Sequence, residues 1–301
     1  MLDYHVHLWP HAERADPAES RLERLAGYCE AAGAQGVRQI ALTEHLFRFR
    51  AARAWVGDFW AREENASLRG HLHAYFDHHA TADLDDYVEA VLAAKAAGLP
   101  VLLGLEVDYY PGQMDVVARR LAGYPFDVLL GSVHWLGTWL FDELEDEVSM
   151  GEWGRRGVEG TWSAYTEALC ELAETKTVDV LAHPDLVKVA GHRPDAALVA
   201  QCHERIAQAA ASCGLVAEIS SAGWRKPAAE AYPAPELLKR FFAHGVPVTT
   251  ASDSHGPTDV AARAPDLVEL AVGAGYRELQ GFASRQRHPV ALVAPSQGVV
   301  P

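Results

Sequence analysis

The chain has 301 residues, 49% hydrophobic and 22% charged, which is the balance of a globular protein with a sizeable buried core rather than a disordered or fibrous one. Its 26 basic against 41 acidic side chains leave a formal charge of −15, so nucleic acid and anionic membrane are disfavoured as partners, because both reward a basic surface. No apolar run reaches bilayer-spanning length and no basic-then-apolar leader is visible, so a cytoplasmic location is expected.

Seven short apolar runs alternate with helix-like stretches. The first strand is expected at Leu2–Val6, and residues 17–33 follow as a helix with Leu22, Leu25 and Tyr28 on one face. The second strand, 37–43, ends in Glu44-His45. After a long aromatic and charged segment (47–79), a helix over 84–97 has Thr81-Ala82-Asp83 in front as its cap and Ala97-Gly98 as its stop. Strands follow at 100–107 and 126–133, the latter running into His134. A Trp-, Gly- and acid-rich segment (135–160) precedes a helix over 161–175 and a strand over 178–182 that ends at His183. The remaining units are a helix at 195–213, a strand at 215–220, a helix at 235–244 and a strand at 246–252, with a short closing tail over 280–301. Strands alternating with helices of this length make βαβ units around a parallel sheet. Seven of them without a linker predict one barrel domain over 1–301, with the two irregular segments (about 47–80 and 135–160) as loops over the C-terminal strand ends. The cysteines Cys29, Cys170, Cys202 and Cys213 lack metal-like spacing and read as reduced and structural.

The chemistry lies at the strand ends. His5, His7, His45, Glu106, His134, His183, Asp253 and His255 each fall at or near the C-terminal end of an expected strand. Imidazoles and carboxylates are ligands for Zn, Mn and Fe. His5 and His7 share one face of an extended strand. Glu106, in the apolar run Leu103-Gly104-Leu105-Glu106-Val107, needs a cation or several donors if it is ionised. Eight donors exceed one four-coordinate ion, so a cluster of two or three divalent metals is expected, with Glu106 or Asp253 as a bridge. Each residue alone has a structural explanation; their recurrence at strand ends does not. His71-Leu72-His73 follows no strand and is expected in a loop without metal, as are His78 and His79.

These segments resemble the polymerase and histidinol phosphatase (PHP) family, most closely its histidinol-phosphate phosphatase branch. The matching stretches are Asp3-Tyr4-His5-Val6-His7, Leu42-Thr43-Glu44-His45, Gly104-Leu105-Glu106-Val107, Gly131-Ser132-Val133-His134, Ala182-His183-Pro184-Asp185, Glu218-Ile219-Ser220 and Ala251-Ser252-Asp253-Ser254-His255. The resemblance implies a distorted, TIM-barrel-like (β/α)7 fold with a trinuclear metal site. It would put His5, His7, Glu106 and Asp253 on one metal, Glu106, His134 and His183 on a second, and His45 and His255 on a third. The third has one more ligand in the family, for which His11 and Glu13 are candidates and His11 is preferred.

The resemblance extends to Ser220-Ser221-Ala222-Gly223-Trp224-Arg225-Lys226-Pro227, where a Gly-x-Arg-Lys-Pro segment follows the strand. Arg225 offers a donor fork for phosphate oxygens and Lys226 a point charge; Arg48 is a further candidate. The implied reaction is phosphomonoester hydrolysis by a metal-bridging hydroxide, with Asp253, His255 and Glu106 at the reacting centre and a small phosphorylated substrate, most specifically L-histidinol phosphate. Asp185 or His255 could protonate the leaving group. Asp108, Asp142 or Glu143 could pair with the amine and imidazole of that substrate, and Trp135 and Trp139 could exclude water. The alternatives are another small phosphomonoester or nucleotide, an amidohydrolase-type C–N hydrolase, for which the usual strand-end lysine is missing, and a metal-stabilised module without activity. Nothing in the sequence sets an oligomeric state.

Overall fold

The structure is a computed structural model that describes residues 1–10, 13–14 and 21–292. β1 (Leu2–Val6), α1 (Arg21–Ala34) and β2 (Gln39–Leu42) come first, then α2 (Arg50–Val56), α3 (Ala66–His79) and α4 (Leu84–Ala96). β3 (Val101–Asp108), α5 (Met114–Leu121) and β4 (Val128–Ser132) lead to a hairpin of β5 (Trp135–Leu136) and β6 (Trp139–Leu140). α6 (Glu147–Arg156), α7 (Val158–Glu174), β7 (Val180–Leu181), α8 (Ala196–Cys213), β8 (Val216–Ser220) and α9 (Pro235–Ala243) follow. β9 (Val248–Ala251), α10 (Ala264–Ala274) and a last hairpin, β10 (Glu278–Ala283) and β11 (Gln286–Ala291), end the described chain.

Seven strands form one parallel sheet in the order β1-β2-β3-β4-β7-β8-β9. Its edges meet where Val6 bridges Ser254 and the His7 N–H donates to the Ser254 carbonyl at 2.7 Å, so the sheet nearly closes into a barrel. Burial on both faces explains the continuous apolar runs: all eight residues of β3 are buried. The expected strands are all present, most trimmed by one to three residues at an end; β7 keeps only Val180–Leu181.

The Asp83 carboxylate accepts from the backbone N–H groups of Asp85 and Asp86, so it caps α4 as read from the sequence. Three elements depart from that reading. Residues 47–79 are mostly helical, and His71 and His73 lie in α3 rather than in a loop. Asn65 caps α3 by accepting from Ser67 and Leu68, a signal hidden among charged residues. Residues 135–160 hold the β5–β6 hairpin and α6, and their tryptophans are core: Trp139 is fully buried and packs edge-on against Trp153. The tail forms the β10–β11 hairpin, which floors the barrel at the N-terminal strand ends. There Arg285 grips Asp179 with two hydrogen bonds (2.9 and 3.0 Å) and the Phe282 N–H donates to the Tyr4 hydroxyl. α5 and α10 also lay outside the sequence reading; the eight residues of α5 are too short a window for helical periodicity to register. All four cysteines are free.

Candidate metal centre

The parallel barrel aims the C-terminal ends of its strands at one rim, and the strand-end donors converge there around Glu106. Its Oε2 lies 2.6 Å from His45 Nδ1, 3.3 Å from His5 Nε2 and 3.6 Å from His7 Nε2. Its Oε1 lies 3.0 Å from His183 Nε2 and 3.5 Å from His134 Nε2. One carboxylate thus stands between two groups of imidazoles. Asp253 Oδ1 lies 3.3 Å from His7 Nε2 and 3.7 Å from His5 Nε2. His7 stacks on both His45 and His255 with ring centroids 4.1 Å apart in each case. Two of the donors sit on backbone in the left-handed region, His183 at φ 28° and Asp253 at φ 52°. Such conformations cost on the order of 1–3 kcal/mol each and persist where surrounding structure enforces them.

Three further carboxylates, none assigned a ligand role from the sequence, orient the rings from behind. Glu218 Oε2 is 2.8 Å from His5 Nδ1, and its Oε1 accepts the His183 N–H at 3.1 Å. Glu44 stands 3.4 Å from His7 Nδ1 and accepts the N–H groups of Leu8, Trp9 and His45. Asp108 is 2.6 Å from His134 Nδ1. A carboxylate on Nδ1 holds the proton there and leaves Nε2 as a lone-pair donor toward the rim, the arrangement that metal-binding histidines adopt. The available signals were position: Glu44 directly precedes His45, and Asp108 and Glu218 are acids in buried strands. Asp3 supports the same rim by accepting from Ser252 N, Ser252 Oγ and Ala261 N, which ties the turn bearing Asp253 to β1.

Electrostatics follow from this crowding. Burial opposes charge on Glu106, yet His45, His5 and His134 hold its carboxyl well below the usual range; His5, His7 and His255 do the same for Asp253. Burial pulls His134 down, but Glu106, Asp142 and Asp108 outweigh it and lift the ring to about 10. His5 is likewise raised against its burial by Glu218, Glu106 and Asp253. Burial pushes Asp108 up to about 6. The Nε2 atoms of His5 and His7 and the Oε2 of Glu106 are buried and make no hydrogen bond among the described residues. Orphaned imidazole nitrogens around an orphaned carboxylate oxygen are the donor set of divalent cations, so the residues fit metal.

A cavity of about 290 Å³ opens above the cluster, lined by His45, His134, Asp253 and His255 below and by Arg225, Lys226, Asp142, Glu143 and Asp259 around the mouth. Arg225 and Lys226 thus line the same cavity as the strand-end donors. One Nη2 of Arg225 donates to the Ser252 and Asp253 carbonyls (2.8 and 3.0 Å), leaving its other nitrogens for the cavity. Gly223 makes this turn possible, because a Cβ there would lie 2.1 Å from the Glu230 carbonyl oxygen.

Four expectations are corrected. Arg48 is fully buried and does not line the cavity; it pairs with Glu44 (3.3 Å) and donates to the carbonyls of Pro10 and Glu13, so it supports the rim rather than binding substrate. Asp185 is fully buried against Lys188 and accepts the Ala234 N–H, so it is no rim acid. Asp108 is spent behind His134, and the cavity walls are Phe47, Tyr75 and Leu140 rather than Trp135 and Trp139. His11 lies outside the described residues; the Glu13 N–H donates to the Pro10 carbonyl and its own carbonyl accepts from Arg48. His71 pairs with Glu143 at 2.9 Å.

A profile of the PHP domain matches residues 7–222, and the chain belongs to the PHP domain family. It is 35% identical over 203 residues to a protein of Deinococcus radiodurans named probable histidinol-phosphatase, covering 67% of this chain and 75% of that one. It is 24% identical over 238 residues to a Schizosaccharomyces pombe protein of the same name, covering 75% and 73%. Its fold superimposes with a TM-score of 0.66 at 19% identity on the histidinol phosphate phosphatase of Lactococcus lactis, crystallised with zinc, L-histidinol and phosphate, over 95% of this chain and 98% of that one.

Proposed function

We propose that this chain, acting as one catalytic unit over 1–301, hydrolyses L-histidinol phosphate to L-histidinol and phosphate at a cluster of divalent ions. The enzyme is a metal-dependent phosphoric monoester hydrolase. The observation that carries the reading is the placement of Glu106, one oxygen toward His5, His7 and His45 and the other toward His134 and His183, beneath a cavity edged by Arg225 and Lys226. The names of the relatives and the zinc, histidinol and phosphate in the Lactococcus lactis crystal support the same substrate.

His5, His7, Glu106 and Asp253 would hold one ion, Glu106, His134 and His183 a second, and His45 with His255 a third, each Zn, Mn or Fe. When bound, divalent ions there supply Lewis acidity toward phosphoryl oxygens and bring the pKa of water near neutrality. Around them the chain's own groups do the rest. Glu218, Glu44 and Asp108 keep three imidazoles in the tautomer that presents Nε2. Arg225 and Lys226 bind phosphate oxygens, and the Arg225 fork adds charge where the transition state spreads it over the equatorial oxygens. Asp253 and His255 face the cavity and complete the reacting centre. Phe47, Tyr75 and Leu140 give the cavity apolar walls that limit water.

Phosphate release from L-histidinol phosphate, measured with metal content on protein loaded with Zn, Mn or Fe, tests the assignment. Turnover that disappears in Glu106→Gln together with bound metal is expected. A folded, metal-loaded protein that releases no phosphate from any phosphomonoester would refute it.

A further inference from the structure

The phosphate end of the cavity is accounted for by Arg225 and Lys226, but three carboxylates also line it without belonging to the cage: Asp142, Glu143 and Asp259. They differ in what already satisfies them. Glu143 Oε2 also accepts no hydrogen bond among the described residues, but His71, shared with Asp146 at 3.6 Å, stands 2.9 Å from it and gives it a charged partner within the protein. Asp259 stands on the loop after β9 and is only half-buried, open to water. Asp142 is the exception. Its Oδ1 is shielded from solvent and accepts no hydrogen bond among the described residues, although His134, Lys226 and His183 are near enough to act on its charge. It follows the β5–β6 hairpin, a different loop from the turn that carries Arg225 and Lys226. A buried carboxylate oxygen without a donor is costly, and it calls for a partner that the protein does not itself supply, which a ligand N–H would be.

We infer that Asp142 recognises a cationic nitrogen on the alcohol half of the substrate, and so selects phosphate esters of amino alcohols over neutral esters of similar size. This rests on the phosphatase reading above and deepens it by naming the residue that discriminates among substrates. A dipolar substrate matches the two signs of the mouth: its phosphate meets Arg225 and Lys226, and its ammonium or imidazolium meets Asp142. Phe47 and Tyr75 line the same cavity and make part of its wall aromatic, which suits a cation or an imidazole. The charge-assisted hydrogen bond forms only with a substrate that carries the nitrogen, so discrimination and not phosphate binding is what Asp142 controls.

The test compares kcat/KM for L-histidinol phosphate, ethanolamine phosphate, glycerol phosphate and p-nitrophenyl phosphate in the metal-loaded wild type, Asp142→Asn, Asp142→Glu and Asp259→Asn, with metal content measured alongside. In the wild type the two cationic esters are preferred. In Asp142→Asn the ratio of histidinol phosphate to p-nitrophenyl phosphate falls about 10- to 100-fold. Asp142→Glu recovers part of that ratio. A ratio unchanged in Asp142→Asn, or a loss that tracks Asp259→Asn instead, overturns the inference while leaving the phosphatase assignment standing. So does a wild type that hydrolyses neutral and cationic esters equally well. Failure of the wild type on all four esters overturns both.

Discussion

Glu218 offers the sharpest test of how the centre is built, because it touches no cavity and yet is expected to control metal affinity. It is fully buried, with one oxygen on His5 Nδ1 (2.8 Å) and the other accepting the His183 N–H (3.1 Å). Glu218→Gln keeps the shape but holds one oxygen where there were two. If that oxygen stays on the His183 N–H, the amide NH2 faces His5 Nδ1. His5 must then accept there, and its proton moves to Nε2, the atom that should hold the cation. If the amide turns over, its NH2 confronts the His183 N–H, and a buried donor goes unsatisfied at a cost of about 1–3 kcal/mol. Either way the penalty is about 1–3 kcal/mol, or roughly 5- to 150-fold in an equilibrium constant. That brackets the 10- to 100-fold loss of metal affinity typical when a histidine's supporting carboxylate is removed. Competition with a chelator of known affinity measures it, and the melting temperature after metal removal reports whether the fold survives. A metal affinity within twofold of the wild type, in a protein that melts normally, would refute the view that Glu218 sets the His5 tautomer.

Three other outcomes follow from the same geometry. Arg225→Ala should raise KM for phosphomonoesters about 10- to 100-fold, the range for a charged hydrogen bond, while bound metal changes little; an unaltered KM and kcat would remove Arg225 from the phosphate site. Arg48→Met removes the buried cation paired with Glu44, leaving that carboxylate only His7 and its backbone N–H donors, and should destabilise the fold by about 3–5 kcal/mol in denaturant titration, more than its absence from the cavity would suggest. Metal affinity should climb as pH rises from 6 toward 10, because His134, lifted to about 10 in the metal-free protein, and His5, also raised, must each give up a proton to bind a cation. The sign for stability is opposite. A raised imidazole contributes to the metal-free fold fully below its unfolded value of about 6.5 and loses that contribution as pH climbs through about 10. Added metal should therefore raise the melting temperature more at pH 9 than at pH 6, which thermal melts with and without Zn would check.

Much of the barrel was legible because a buried parallel strand must be apolar on both faces, so 100–107 and 126–133 stand out as continuous runs. The candidate donors were legible for a related reason: a single His or Glu ending such a run has a structural explanation, but its recurrence from strand to strand does not. The helices in 47–79 were hidden because α3 buries scattered residues, Leu68, Leu72, Tyr75 and Phe76 among them, between charges and histidines that blur its period. Arg48 misled for a related reason, since three residues past His45 is close in sequence to the rim, but its side chain turns inward to the Pro10 and Glu13 carbonyls.

Local sequence alone determined that six of the seven strands would carry metal-competent groups near their C-terminal ends, because side-chain polarity and spacing along one strand are local properties. Which partner each group meets was decided only by the closed sheet. Pairing His5 with Glu218, His134 with Asp108 and both with Glu106 depends on strand order and register, and these bring together residues up to 213 positions apart. Hydrogen bonds of that span leave no periodic trace in a chain; they exist only once the backbone has brought both ends to the same rim.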